Sequence, residues 1–345
     1  MKEKLLVVCP GRGTYNATEL GYLKRHLALR GDLVARLDAY RASQGQPTIS
    51  ELDNAEKFSA SQHMPGDNAS LLIYACALAD FAAIDRDRFD IVAVTGNSMG
   101  WYLALACAGV LEFDAGAKLV NNMGGLMHEK GQGGQVVWSM TDADWRFTPA
   151  KVAIVEAVLA EAATRSDIAV HVSIRLGAMI VFAANEAGMT WLMERLPKDD
   201  RFPMKLNYHA AFHSPLLNHI LSEAKALNSQ SDFGDGVIHA VDGTGHIWSP
   251  KAFNPGAIYD YTLGAQINAT YDFTRAVQVA AREFCPDRVV VLGPGTTLGA
   301  PVAQALINCG WRGLSGKTDF QARQSDNPLL ISMGMVDQRA YVTAN

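Results

Sequence analysis

FDIVAVTGNSMGWYLALACAG, residues Phe89 to Gly109, is the stretch on which the fold turns. Its run DIVAVT is apolar and rich in β-branched residues, as a strand covered on both faces requires. It meets the small-residue turn Gly96-Asn97-Ser98-Met99-Gly100, and a helix-like apolar run follows at once. Strand, tight G-x-S-x-G turn and helix make the setting of a nucleophile elbow, which lifts a serine hydroxyl to a sheet edge above a helix N-terminus. Ser98 is therefore the first candidate for chemistry. The competing reading is a serine that merely caps a helix.

The chain around the elbow has the texture of a large α/β protein. Leu5 to Cys9 is a short all-apolar run ending in Pro10-Gly11-Arg12-Gly13, which reads as a central parallel strand and a loop rich in backbone N–H groups rather than as a signal peptide. Leu20, Leu23 and Leu27, then Leu33 and Leu37 after Gly31, predict two helices or one interrupted helix. Ser50 with Asp53 predicts a short capped helix, and NASLLIYACALADFAAI (68–84) predicts a helix buried nearly all round. After the elbow helix, Asp114 to Glu129 predicts another, with Ala117, Val120 and Met127 inward.

From Gly131 the texture changes. Strand (Gln135 to Met140), helix (Pro149 to Arg165), two strands about Gly177, helix (Ala187 to Leu196) and strand (Pro203 to Tyr208) follow in the β-α-β-β-α-β order of a ferredoxin-like unit. The expected organisation is an α/β-hydrolase-like large domain with a parallel sheet, residues 1–131 and 205–345, interrupted by a ferredoxin-like α+β insert at 132–204. A helix from Leu216, short strands before Trp248, a helix at Asp272 to Phe284, the strand RVVVL (288–292) and a last clear helix to Ile307 complete the large domain. Residues 311–345 are less patterned and receive no function.

Composition excludes several classes. With 345 residues, 49% hydrophobic and 19% charged, the chain can bury a large core. A net charge of -5 without a basic stripe argues against nucleic-acid binding. No apolar run reaches transmembrane length. The five scattered cysteines fit thiols of a reducing, cytoplasmic compartment, and their spacing offers no metal site. The Gly131 to Gly134 cluster follows a helix and lacks the setting of a nucleotide loop.

A serine nucleophile needs a base, and histidine is the usual one near neutral pH. Of nine histidines, His213 stands out in Ala210-Ala211-Phe212-His213-Ser214-Pro215, a small-residue segment between a strand and a helix start. His209 and His171 are further lining candidates; the other six lie in polar or helical settings. The order Ser98 then His213, with an insert between, does not fit an ordinary α/β-hydrolase, whose histidine falls late.

PGRG (10–13), GNSMG (96–100), CAGVLEFDAGAKLV (107–120), AFHSPLL (211–217) and LGPG (292–295), in this order, resemble the malonyl-CoA:acyl carrier protein transacylases and the acyltransferase domains of polyketide synthases. The resemblance extends from residue 5 to about 309. It implies that Ser98, activated by His213, takes an acyl group from a thioester and hands it to the phosphopantetheine thiol of an acyl carrier protein or to CoA. Acyl-CoA and the carrier protein are then substrates and partners, with no bound cofactor and no metal. The oxyanion would face the backbone N–H groups of Met99 and Arg12. In that family backbone carbonyls orient the histidine. Asp272 is an alternative orienter here, against its reading as a helix-start aspartate.

The departures from the family pattern bear on the acyl group. Asn97, Trp101, Met123 and Phe212 are expected to shape the acyl pocket, and Met123 stands where dicarboxylate-selective members place an arginine. A methionine cannot hold a carboxylate, and an unpaired charge in an apolar pocket costs several kcal/mol, so a neutral acyl group is expected. Arg12, replacing the family's glutamine, or Arg175 could supply a relocated charge, which keeps malonyl as the alternative. Two alternatives use the same residues: an acyl-thioester hydrolase, and a weakly active carrier-binding relative. Mixed charges at Lys198, Asp199, Asp200, Arg201 and Lys205 could meet a carrier protein or form a solvated turn.

Overall fold

The computed structural model describes residues 2–26 and 31–344. Eleven strands among them form two sheets. β1 (Glu3–Cys9), β2 (Phe89–Gly96), β7 (His239–Val241), β8 (Ile247–Trp248), β10 (Arg288–Val291) and β11 (Leu330–Ser332) make a six-stranded sheet in the order β11-β10-β1-β2-β7-β8. All neighbours run parallel except β7 and β8. Leu5 to Cys9 are fully buried, as continuous apolar runs in a doubly covered parallel sheet should be. Parallel strands carry their loops to one edge, so the turns after β1, β2 and β10 converge at the sheet's carboxyl end.

The second sheet is built from β3 (Gly134–Ser139), β4 (Val170–Leu176), β5 (Met179–Ala184) and β6 (Met204–Leu206) in the order β6-β3-β5-β4, with helices Pro149–Ala163 and Glu186–Arg195 between its strands. This is the ferredoxin-like arrangement expected of the sequence, on a mixed α/β fold with a parallel sheet. One strand was not foreseen. β9 (Tyr271–Asp272) pairs parallel with β4, so the second sheet gains a fifth strand from the segment that leads into helix Phe273–Phe284.

The helix Gly66–Ala83 is buried on almost every side, as its composition requires. The expected cap at Ser50 moves back two residues. Thr48 and Glu51 form the capping box of Ile49–Asp53, while Asp53 is buried and accepts from Tyr15 Oη at 2.7 Å. The leucine-spaced region forms helices Tyr22–His26 and Gly31–Ser43, and Leu27 lies outside the described residues. The region after residue 311 is structured: helix Lys317–Asp326 precedes β11, and Arg339 pairs with the fully buried Asp80. Asp80 also accepts from Tyr22 Oη (2.7 Å) and from Gly293 N (2.8 Å), tying the chain's end to the loop after β10. No helix among the described residues is long and apolar enough to cross a membrane.

Candidate active site

The elbow forms because two positions admit nothing larger than glycine. A Cβ on Gly96 would lie 2.1 Å from the carbonyl oxygen of Gly100, and one on Gly100 would lie 2.4 Å from that of Cys9. β2 and the helix Gly100–Cys107 can therefore close on each other and on β1. Between them Ser98 adopts φ 58°, a left-handed conformation that costs a non-glycine residue about 1–3 kcal/mol and is held only by its surroundings. Those surroundings are explicit. Asn97 N donates to Cys9 O (3.1 Å), Gln266 Nε2 to the carbonyl of Ser98 (3.1 Å), and Tyr271 Oη to the carbonyl of Gly96 (2.6 Å).

Ser98 Oγ lies 2.6 Å from His213 Nε2. His213 is also left-handed, at φ 54°, and is buried. Its Nδ1–H donates to the backbone carbonyl of Gln266 at 2.6 Å, and its ring packs on Tyr271 with centroids 5.2 Å apart. Since a carbonyl only accepts, Nδ1 carries the proton and Nε2 is left to take one from the serine. Burial pushes the His213 pKa down to about 4, against the opposing pull of the Gln266 carbonyl, so the ring is neutral at pH 7. A buried neutral imidazole against a serine hydroxyl can act as general base.

The orienting group is thus a peptide carbonyl, and Asp272 does not serve. Its carboxylate caps helix Phe273–Phe284 by accepting from Arg275 N at 2.8 Å, with Arg175 Nε 3.8 Å away. Arg175 is engaged there too and does not line the cleft. Sequence reasoning missed Gln266 altogether. Its carbonyl holds the histidine, its amide nitrogen holds the serine backbone, and its amide oxygen accepts from Tyr102 Oη at 2.8 Å.

Among the described residues, the backbone N–H groups of Met99 and Arg12 make no hydrogen bond, and both residues line the cleft at Ser98. That leaves two donors free at the helix N-terminus and the neighbouring loop. The Arg12 side chain is engaged in part: Nη2 donates to the carbonyls of Tyr208 (2.8 Å) and Met64 (3.2 Å), the guanidinium lies over the Phe212 ring, and the buried Nε has no hydrogen-bond partner. Burial lowers its pKa to about 10, partly offset by the Asp67 carboxylate.

The cleft extends from Ser98 between the two sheets with a volume of about 330 Å³. Asn97, Met123 and Phe212 line it. Trp101 does not; it is fully buried on the far side of the elbow helix, where Nε1 donates to Thr262 Oγ1 at 2.9 Å and the ring meets Tyr261 edge-on. One helical residue separates a wall from a core position here. His209 lines the cleft, whereas His171 does not. A relay fixes the His209 tautomer: Ser173 Oγ donates to Phe212 O (2.7 Å), Gln135 Nε2 to Ser173 Oγ (2.6 Å), and His209 Nδ1 to Gln135 Oε1 (2.7 Å). Burial and Arg12 lower its pKa to about 3. Of the mixed charges near residue 200, Asp199 pairs with Lys151, and Arg201 stands at the cleft with its guanidinium over Phe202. All five cysteines are free thiols; Cys9, Cys76 and Cys107 are buried and Cys285 is exposed.

No protein-family model matches the chain. Over 318 residues it is 26% identical to the phenolphthiocerol synthesis polyketide synthase type I Pks15/1 of Mycobacterium marinum; the match takes in 88% of this chain but only 14% of that protein's length. Among solved structures, an acyl carrier protein S-malonyltransferase of Burkholderia pseudomallei superposes with a TM-score of 0.73 at 22% identity, covering 99% of each chain. The malonyl-CoA:ACP transacylase of Synechocystis sp. PCC 6803 gives 0.73 at 17%, over 99% and 100%. A malonyl-transacylase structure in complex with its type II polyketide synthase acyl carrier protein gives 0.70 at 19%, over 88% and 93%. The resemblance read from the motifs is borne out: the structural neighbours are malonyl-CoA:ACP transacylases, and the curated polyketide synthase agrees with them. At these identities the structural likeness carries the fold.

Proposed function

We propose that the protein is a serine-dependent acyltransferase that moves a neutral acyl group between CoA and acyl carrier protein thioesters. The reading rests above all on one observation: Ser98 Oγ stands 2.6 Å from the Nε2 of a buried histidine whose other nitrogen is tied to a backbone carbonyl, at the head of an apolar cleft. Ser98 Oγ attacks the thioester carbonyl as its proton passes to His213 Nε2. The oxyanion forms against the N–H groups of Met99 and Arg12. Collapse of the tetrahedral adduct breaks the carbon–sulfur bond, the leaving thiolate takes the proton back from His213, and an acyl-serine ester remains. A second thiol, from phosphopantetheine or CoA, then gives its proton to His213 and attacks the ester, and Ser98 recovers its proton as it leaves. Ping-pong kinetics follow.

The neutral acyl group is supported by Met123, which is buried in the cleft wall, and by the engagement of Arg12 with carbonyls and Arg175 with Asp272. The carrier protein as acceptor is supported by the solved complex of a similar fold with its acyl carrier protein. We assign 1–131 and 205–345 to the catalytic domain and 132–204 to the insert, whose last strand, β6, carries it two residues further to Leu206, and we assign the protein to the reducing cytoplasm on the strength of its free thiols. The test is intact mass after incubation with acyl-CoAs, with and without holo carrier protein. An acyl adduct in the wild type that is lost in Ser98→Ala and discharged onto the carrier is expected. An adduct that survives the substitution refutes the serine, and release of free acid at the same rate with or without carrier makes the protein a hydrolase.

A further inference from the structure

We propose that the cleft beside Ser98 is built for an apolar acyl chain of about six to eight carbons, lying between the two sheets. The proposal rests on the acyl-transfer reading of Ser98 and adds the class of group it carries. Its walls come from two directions. Helix Phe113–Lys130 contributes Val120, Met123 and Met127, and the second sheet contributes Val137, Ile174 and Val181. These are aliphatic or thioether side chains, and none can pair with a charge at the far end of an acyl group. A carboxylate carried in there would be desolvated without a partner. Two cations, Arg12 and Arg201, border the cleft. Arg12 Nη2 serves two carbonyls and Asp67 offsets its charge, while its buried Nε has no hydrogen-bond partner; Arg201 is exposed and lies over Phe202.

Size sets the length. A dry cavity of about 150 Å³ takes a benzene ring, six carbons. By that measure the 330 Å³ cleft holds about a dozen carbon-sized atoms. The thioester carbonyl, the sulfur and the first atoms of the pantetheine arm occupy the share nearest Ser98, and about six to eight carbons fill the rest. An acetyl or malonyl group would leave most of the apolar wall uncovered.

The test is the rate of acyl-serine formation, read by intact mass under single-turnover conditions, with acetyl-, malonyl-, butyryl-, hexanoyl-, octanoyl- and dodecanoyl-CoA. Each methylene that enters the cleft is expected to raise kcat/KM about fourfold, with the optimum at hexanoyl or octanoyl and a fall at dodecanoyl. Val181→Phe, which adds bulk to the cleft wall, should lower the octanoyl-to-acetyl ratio by about tenfold or more. A panel in which acetyl- or malonyl-CoA loads fastest, or in which rate ignores chain length, overturns this proposal while leaving Ser98 acylation intact. Absence of acyl-serine with every thioester overturns the acyl-transfer reading itself. The wild-type panel decides both even if Val181→Phe fails to fold.

Discussion

Acid should remove this protein's stability before it titrates His213, the proposed base, in the native state. His213 and His209 are held neutral by burial, with pKa values of about 4 and about 3, against about 6.5 in an unfolded chain. Both folded values are depressed, so between pH 6.5 and 4 the unfolded chain binds more protons than the native one. Stability is then fully present above pH 6.5 and is lost as pH falls toward 4. One pKa unit is worth about 1.4 kcal/mol per group. From pH 7 to pH 5 each histidine therefore withdraws about 2 kcal/mol, and the pair about 4 kcal/mol. That is a large part of the roughly 5–15 kcal/mol that holds a native protein together. The partly buried His26, lowered to about 4 by burial and by Arg339, acts in the same direction. Urea midpoints at pH 7, 6 and 5 measure the loss. In His209→Gln, whose amide can still donate to Gln135, the fall between pH 7 and 5 should shrink by about a third to a half. Serine acylation in the native protein should meanwhile stay flat down to about pH 5. A stability that does not change from pH 7 to 5, or an acylation limb centred near 6.5, would show that these rings are solvated and that the buried-base argument is wrong.

Three further outcomes follow from the same contacts. Asp272→Ala removes a helix cap worth about 1 kcal/mol and no more, and leaves acyl-serine formation within about twofold, measured by melting temperature and intact mass; a loss of about a thousandfold would restore the carboxylate as orienter of His213. Gln266→Leu keeps the carbonyl but strips the bonds to Ser98 O and Tyr102 Oη, so about 1–3 kcal/mol of stability and roughly tenfold to a hundredfold in acylation should go together. An unchanged rate would mean that the Ser98 backbone is held without it. Arg339→Met leaves Asp80 buried beside Tyr22 and Gly293 without its cation and should cost about 3–5 kcal/mol in urea unfolding; a cost under about 1 kcal/mol would mean that Asp80 is protonated in the native protein.

What could be read in the sequence was what residue type alone decides. The elbow was legible because Gly96 and Gly100 admit no substitute and flank a strand and a helix whose patterns switch at Ser98. His213 was legible because an imidazole between small residues has few other uses. The orienting group was not, for a peptide carbonyl is the same in every residue: what distinguishes Gln266 is its place at helix Ala265–Asn268, which brings its carbonyl 2.6 Å from Nδ1. The same argument explains Asp272, a side chain that invites a catalytic role in one dimension and is consumed by Arg275 N in three. Trp101 is legible only in three dimensions: Ser98 is left-handed and lies outside the helix, so its position sets no helical face, and the Trp101 side chain turns to Thr262 and the core. β9 and β11 are two and three residues long, too short for any period to mark, yet β9 joins the two sheets beside His213 through Tyr271. Tyr271 donates to the Gly96 carbonyl, packs on His213 and belongs to the second sheet, so the serine turn, the histidine and the second sheet meet at one side chain. The geometry at Ser98 is in this sense a property of the joint between the sheets, and a chain cut at the insert's boundaries should lose the elbow's strained φ along with the cleft.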